Sequence, residues 1–210
     1  MAKTQRAAAK SRKTRTTPSA KARKPRTTPK RPARRAHAHP TARLGKHDWY
    51  PDSHIRNILR SVRSIAFVGA STHWKRPSSY AMKYLQKKGF KIIPVNPGRG
   101  GATILGQPVY TSLEDIPEGT DMVDIFRTSE EAGAITDKVI KVAKKKGIRI
   151  LWMQLGVRDD EAAKRAEAAG LTVIMNRCPK IEYARLSGEL SYCGINSRII
   201  SGKTLRPPKA

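Results

Sequence analysis

Five apolar runs alternate with amphipathic segments between residues 64 and 175, and this alternation limits the chain to few folds. The run from Ile150 to Met153 is apolar at every position, which is typical of a strand covered on both faces of a sheet. Strands that alternate with helices favour parallel pairing through helical crossovers. We therefore predict an α/β fold with a Rossmann-like, doubly wound, mostly parallel sheet. The predicted strands span 64–69, 90–95, 121–126, 148–155 and 171–175, and the helices between them span 77–88, 130–146 and 159–169.

Residues with capping chemistry stand at the predicted helix ends. Gly147 and Gly170 each follow a helical pattern, where a left-handed residue commonly ends a helix. Pro77 suits a first helical turn because its missing N–H would have no partner there. An additional helix before the first strand is predicted, with Asp52 or Ser53 as its N-cap.

The residues that follow the predicted strands form the candidate site. Doubly wound sheets bind ligands in the crevice beyond the carboxyl ends of their strands, at the point where the strand order reverses. In strand order these residues are Gly69, Ala70 and Ser71; Asn96 and Pro97; Phe126, Arg127 and Thr128; Gln154, Leu155 and Gly156; and Asn176, Arg177 and Cys178.

The turn after the first strand contains one glycine, where a dinucleotide-binding G-x-G-x-x-G turn has three small positions. Gly69 would let the backbone turn tightly beneath a phosphate, and Ala70 and Ser71 are small enough for their N–H groups to approach it. The helix that starts at Pro77 would direct its unpaired N–H groups and its dipole to the same place, with Arg76 as a cation. The alternative interpretation is a simple tight turn beside a solvated arginine.

The end of the second strand lacks an acidic residue. It reads Pro94-Val95-Asn96-Pro97-Gly98-Arg99, whereas many nicotinamide enzymes have an acid here that binds the ribose hydroxyls. This disfavours an unphosphorylated ribose and fits the ribose phosphate of NADP or coenzyme A (CoA). The alternative interpretation is that the two prolines only shape a loop and that no ribose phosphate binds here.

Six motifs occur in order: "IAFVGAS" with "RPS", "IIPVNP", "ILGQPVYTSLEDIP", "DMVDIFRTSEE", "WMQLGV" and "NRCPKIEYARL". With them the chain closely resembles the small stand-alone CoA-binding proteins, which are related to the CoA-binding domain of the succinyl-CoA synthetase α subunit. The resemblance covers about residues 50 to 203.

The resemblance implies that this turn receives the phosphates of CoA. The matching positions of the phosphate loop and helix start are Gly69, Ala70, Ser71, Arg76, Pro77 and Ser78. Asn96 and Pro97 match the segment near the adenosine, and Gln154, Leu155 and Gly156 match a further CoA-contacting loop. Asn176 replaces the acid that usually precedes Arg-Cys, so this last loop carries little weight.

The acyl-CoA ligase mechanism of the synthetase needs a phosphohistidine on a second domain. All five histidines of this chain lie at positions 37, 39, 47, 54 and 73, before or at the first turn. Because no Ser-His-acid order, carboxylate pair or metal-ligand spacing replaces it, we expect a binding protein rather than an enzyme. Cys178, next to Arg177, could instead be a redox-active thiolate, although a buried structural cysteine is the simpler interpretation.

Residues 1–46 are set apart by their charge. They contain 16 of the 43 Lys and Arg and none of the 16 Asp and Glu, so residues 47–210 carry 27 basic against 16 acidic residues. The segment is rich in Ala, Thr and Pro, lacks apolar surface, and is predicted to be a disordered arm. It could bind DNA or RNA through phosphates, without base reading or stacking, and organelle targeting is the rival interpretation.

The sequence thus predicts a basic arm, 1–46, and a single Rossmann-type domain, 47–210, that binds CoA or acyl-CoA without catalysis. An NADP-binding enzyme or regulator that uses the same crevice is one alternative. A nucleic-acid accessory protein with a ligand-free scaffold domain is the other. We expect a cytoplasmic protein, with nucleoid association as a variant, because no apolar run approaches the roughly 18 residues of a membrane span. The acyl group and the oligomeric state stay open.

Overall fold

The computed structural model describes residues 45–195 and contains one five-stranded parallel sheet flanked by helices. The strand order is β2-β1-β5-β6-β7, and β3 and β4 form a separate antiparallel hairpin. The sheet strands are β1 Ser64–Val68, β2 Lys91–Val95, β5 Met122–Ile125, β6 Ile150–Met153 and β7 Thr172–Ile174; the hairpin is β3 Thr103–Ile104 and β4 Gln107–Pro108. The helices are α1 Asp52–Ser61, α2 Pro77–Lys87, α3 Ser129–Lys146, α4 Asp160–Ala168, α5 Pro179–Leu186 and α6 Glu189–Tyr192, and Pro97–Arg99 forms a 3-10 turn.

The predicted α/β, doubly wound fold is confirmed. Apolar side chains fill both faces of the sheet: Phe67 and Trp152 pack in one layer with α1, α2 and α5, whereas Val123 and Leu151 pack in the other with α3 and α4. Burying one such side chain stabilises a fold by about 1.5–3 kcal/mol. The two covered faces therefore explain why the strands are continuous apolar runs rather than alternating ones.

Several local expectations need correction. The N-cap of α1 is Pro51, and both Asp52 and Ser53 already lie within the helix. Each predicted sheet strand is one to four residues too long, because the chain leaves the sheet early to build its loops. The sequence interpretation also missed α5, α6 and the hairpin. Gly147 does end α3 with a left-handed backbone, φ 82°.

The predicted arm, residues 1–46, lies almost entirely outside the described residues. Within residues 45–195, no helix combines the length and the apolar character that crossing a membrane requires.

Candidate functional site

The switch point of the sheet lies between β1 and β5. From β1 the chain goes to β2 on one side and then crosses to β5 on the other side. The crevice beyond the carboxyl ends therefore opens between the turn at Gly69 and the residues Phe126 and Arg127, as expected for a doubly wound fold.

Gly69 is required by the packing of the two central strands. Its φ is 89°, and a Cβ built on it would lie 2.5 Å from the carbonyl oxygen of Phe126 and 3.2 Å from Nε of Arg127. Its N–H donates to Val95 O at 2.9 Å, and the N–H of Ala70 donates to the same oxygen at 3.2 Å. The Ala70 N–H, which the sequence interpretation assigned to a phosphate, is thus directed at Val95 at the end of β2.

The loop from Ser71 to Arg76 is held against the start of α2. Ser79 Oγ lies 2.8 Å from the carbonyl oxygens of both Ser71 and His73, and Ser71 Oγ accepts from the N–H of His73 at 3.1 Å. Arg76 is the exposed N-cap of α2, and Pro77 occupies its first turn. The positive end of this helix dipole thus meets the crevice next to a cation. Ser78, predicted as a ligand contact, is buried.

Asn96 connects the loops after β1 and β2 through hydrogen bonds of its side chain. Its Nδ2 donates to Ala70 O at 2.7 Å, and its Oδ1 accepts from the N–H of Gly98 at 3.0 Å. The side chain predicted to lie near an adenosine therefore positions the turn that precedes it. Pro97 lines a cavity of about 250 Å³ on this side of the crevice.

This smaller cavity also holds acidic residues that the sequence interpretation missed. Glu114 follows the hairpin, and Glu131 and Lys138 come from α3. The cavity therefore contains acidic residues, although none directly follows β2. Arg127, whose Nη1 is 4.0 Å from Oε1 of Glu131, forms part of the same wall.

A larger cavity of about 500 Å³ lies on the other side of Arg127. The structure brings six predicted residues into its wall: Pro77, Phe126, Arg127, Gln154, Leu155 and Cys178. It adds residues that sequence reasoning missed, namely Tyr80, Lys180 and Ile181. Lys180 and Ile181 belong to the motif "NRCPKIEYARL", which contains α5 but was not assigned to a helix, and Tyr80 lies in the first turn of α2.

Gln154 and Asp124 form a buried polar pair beneath the larger cavity. Nε2 of Gln154 lies 3.0 Å and 2.9 Å from the two carboxyl oxygens of Asp124, which is completely buried. Burial raises the pKa of Asp124 well above its ordinary value, because a charge there would lose its hydration. Gln154 therefore forms part of the cavity wall, and its amide nitrogen is already bonded to Asp124.

The loop after β6 is held by Asn176. Its Oδ1 accepts from the N–H of Gly156 at 2.9 Å, and Asn176 itself has a left-handed backbone with φ 52°. Asparagine tolerates this conformation better than most residues. The position that departs from the family pattern thus has a structural use, since it fixes the loop that presents Leu155, which is 54% exposed.

The redox interpretation of Cys178 is not supported by its surroundings. The thiol is buried at the N-cap of α5, and burial raises its pKa. The guanidinium of Arg177 lies 5.8 Å from the ring centroid of Tyr50 and 3.8 Å from a carboxyl oxygen of Glu182. A protonated thiol is a poor nucleophile. Among residues 45–195, no group of three His, Cys, Asp or Glu side chains could hold a metal ion.

The comparisons with known proteins agree with this geometry. A family model described as "CoA binding domain" matches residues 63–184. The chain belongs to the CoA-binding domain family. The resemblance inferred from the six motifs is thereby confirmed, and membership supports CoA binding by this domain.

Relatives of this CoA-binding domain protein have similar sequences and folds. It is 34% identical over 130 residues to the uncharacterized protein YneT of Bacillus subtilis, covering 62% of this chain and 92% of that one. It is 37% identical to Prb, a PH1109 protein redesigned for binding, with a TM-score of 0.61 over 67% of this chain and 95% of that one. A protein of Thermus thermophilus is 31% identical, with a TM-score of 0.61 over 65% of this chain and 99% of that one.

Proposed function

We propose that the domain binds CoA or a short acyl-CoA across the crevice, without catalysing a reaction on it. The observation that carries this proposal is that two cavities meet at Arg127, directly beside the turn at Gly69. An elongated ligand with a central diphosphate would lie with its phosphates at this junction. One end would extend into each cavity.

The phosphates would be bound by positive charge rather than by a glycine-rich cradle. Arg127 stands at the junction, Arg76 caps α2, and Lys180 lines the larger cavity. Charge-assisted hydrogen bonds from guanidinium and ammonium groups to phosphate are about twice as strong as neutral ones. These cations would supplement the turn at Gly69, whose N–H groups are directed at Val95.

The larger cavity suits the pantetheine arm and a small acyl group. Its wall combines apolar side chains that are still partly exposed, Tyr80, Leu155 and Ile181, with the polar floor of Gln154. Ligand sites of this kind are mostly apolar with a few fixed polar groups. The adenosine would then occupy the smaller cavity beside Pro97.

A non-catalytic role is supported by the state of the reactive groups near the crevice. Asp124 is buried and engaged with Gln154, and the Cys178 thiol is held protonated by burial. Asp124 is completely buried, so its carboxyl group is not exposed to a ligand in the cavity, and a protonated thiol is a poor nucleophile. NADP is the second candidate ligand, because Lys138 on the wall of the smaller cavity could bind a ribose phosphate of either molecule.

The test is a melting-temperature series with CoA, dephospho-CoA, NADP and NAD. A ligand that binds only the native state stabilises it by about 2.7 kcal/mol at a hundredfold excess over Kd. We expect the largest rise with CoA, and a smaller one with dephospho-CoA and NAD. Equal shifts with CoA and dephospho-CoA would show that the ribose phosphate is not recognised. A larger shift with NADP than with CoA would identify NADP as the better ligand.

We further propose that residues 1–46 bind DNA or RNA through their phosphates. Their 16 cations, unopposed by acidic residues, support this role. Organelle targeting is the competing role of the same residues.

A further inference from the structure

The larger crevice cavity has a positive electrostatic character that a neutral pantetheine arm does not use. Among the described residues that line it, Arg127 and Lys180 are cationic and none is acidic. Two helices also begin at its wall, α2 at Pro77 and α5 directly after its N-cap Cys178. The N-terminus of a helix carries a partial positive charge, which favours anions nearby. The cavity therefore suits a ligand with an anionic group of its own at this end.

Lys180 forms no ion pair within the part of the chain that the structure describes. Its half-buried side chain lies beside the ring of Tyr84, with Nζ 5.9 Å from the ring centroid. The Tyr84 hydroxyl donates to Oε2 of Glu189 at 2.6 Å, and Nζ of Lys88 lies 2.5 Å from Oε1 of the same carboxylate. Glu189 thus already has a cationic partner. The ammonium group of Lys180 keeps its N–H donors for another acceptor.

Lys180 is also set apart from the junction where the phosphates are proposed to lie. Arg127 lines both crevice cavities, whereas Lys180 lines only the larger one. Pro77 begins α2, and Tyr84, beside the Lys180 ammonium group, lies about two turns further along this helix. The charge of Lys180 would therefore act on the phosphates from a distance, and its N–H groups would be left for a second anion within the larger cavity.

The other groups around Lys180 fit a short carbon chain that ends in a carboxylate. Leu155 and Ile181 give the wall exposed apolar surface, and Tyr80, which is 48% exposed, adds a hydroxyl that can donate to an anion. Asp124, the buried acid behind Gln154, does not oppose an anion strongly, because burial raises its pKa and favours its uncharged form.

We propose that the larger cavity binds an acyl-CoA whose acyl group ends in a carboxylate, and that Lys180 is the residue that selects this carboxylate. This inference rests on the proposed binding of CoA across the crevice. The thioester end of CoA would share the larger cavity with Lys180, so a short chain would bring the carboxylate to the ammonium group. An uncharged acyl group would leave Lys180 without a partner. The protein would therefore prefer dicarboxylic to monocarboxylic acyl groups.

The experiment measures Kd by calorimetry for three pairs of thioesters. Malonyl-, succinyl- and glutaryl-CoA are each compared with the uncharged isostere in which two methyl groups replace the carboxylate oxygens: 3-methylbutanoyl-, 4-methylpentanoyl- and 5-methylhexanoyl-CoA. A hydrogen bond to a charged group corresponds to about 10-fold in Kd at the weaker end of its range. We therefore expect at least one dicarboxylic ligand to bind about 10-fold more tightly than its isostere.

Three variants assign this preference to one side chain. Lys180→Met keeps the length of the side chain and should reduce the ratio of the two Kd values to about 1, whereas Lys180→Arg should retain the preference. The ratio is the quantity to compare, because any loss of phosphate binding in a variant affects both ligands of a pair equally. Lys83→Met is the matched control, since Lys83 is an exposed cation of α2 that lines neither crevice cavity, and it should keep the wild-type ratio.

The outcomes separate this inference from the proposed function. Equal affinities within all three pairs for wild type would refute the inference while CoA binding stands. An unchanged preference in Lys180→Met would also overturn it, because a different cation would then bind the carboxylate. Wild type that binds neither CoA nor any of the six thioesters would refute the proposed function, and the inference with it.

Discussion

Replacement of Gly69 by alanine tests whether this glycine serves the fold or the ligand. A Cβ at position 69 would lie 2.5 Å from the backbone oxygen of Phe126, a distance that real Cβ atoms do not adopt. Gly170 is the matched control, because its φ of 87° is almost the same as the 89° of Gly69 but its Cβ would meet no atom within 4 Å. The two variants therefore differ in one factor, the contact with a neighbouring strand.

The expected magnitudes follow from this difference. A left-handed backbone costs an alanine roughly 1–2 kcal/mol relative to glycine at either position. The gain from a less flexible unfolded chain is also common to both variants. At Gly69 the end of β1 or β5 must shift in addition, and such overpacking typically costs about 1–3 kcal/mol. We expect destabilisation of about 1–2 kcal/mol for Gly170→Ala and about 2–5 kcal/mol for Gly69→Ala.

Urea unfolding, followed by circular dichroism, measures both free energies directly. In a chain of this size 1 kcal/mol corresponds to about 2–4 °C in Tm, so thermal melts offer a second reading. If the two variants are equally stable while only Gly69→Ala loses CoA binding, the reasoning is refuted and Gly69 serves the ligand's approach. Loss of CoA binding alone, without this stability comparison, cannot identify a phosphate-binding glycine here.

Three further predictions concern charge and reactivity. Because burial raises the pKa of Asp124, folding favours its protonated form, and stability falls as pH rises above the ordinary pKa of 3.8. Asp124→Asn should lack this loss, so its urea midpoint should gain on wild type between pH 4 and pH 8, and parallel curves would contradict the burial argument. Iodoacetamide should modify exposed Cys193 well before buried Cys178, as mass spectrometry of the native protein can show, and the reverse order would restore a reactive thiolate. If half of the cations in residues 1–46 contact phosphates, log K for duplex binding should fall against log salt with a slope of roughly −7. Removal of residues 1–46 should abolish this salt dependence and leave CoA binding intact, whereas unchanged duplex affinity would assign the binding to α3.

The sequence was sufficient to predict the sheet and the position of its crevice. Apolar runs separated by helical patterns indicate parallel strands regardless of the loop conformations, and the turn at Gly69 marks the carboxyl end of the first strand. These features depend on residues close together in the chain. Element type was therefore predictable, and the strand ends, where the chain leaves the sheet, were not.

The hydrogen bonds of the site could not be predicted, because they join residues that are distant in sequence. Asn96 bonds to Ala70, 26 residues away, and Gln154 bonds to Asp124, 30 residues away. No local pattern distinguishes a glutamine that contacts a ligand from one that is bonded to a buried acid. A cavity near the edge strand β7 was hidden for the same reason, because Trp49 and Val173, which both line it, are far apart in the sequence.

Calorimetric titration of CoA into wild type, Arg127→Ala and Lys141→Ala tests the central claim most directly. Arg127 stands where the two crevice cavities meet, whereas Lys141 is an exposed cation on α3 that lines neither of them. Hydrogen bonds to charged groups are worth about 1.5–3 kcal/mol, so Arg127→Ala should raise the Kd for CoA about 10- to 150-fold. Lys141→Ala should bind CoA as wild type does. If Arg127→Ala binds CoA with wild-type affinity, the phosphates do not lie at the junction of the cavities and the proposed site is wrong.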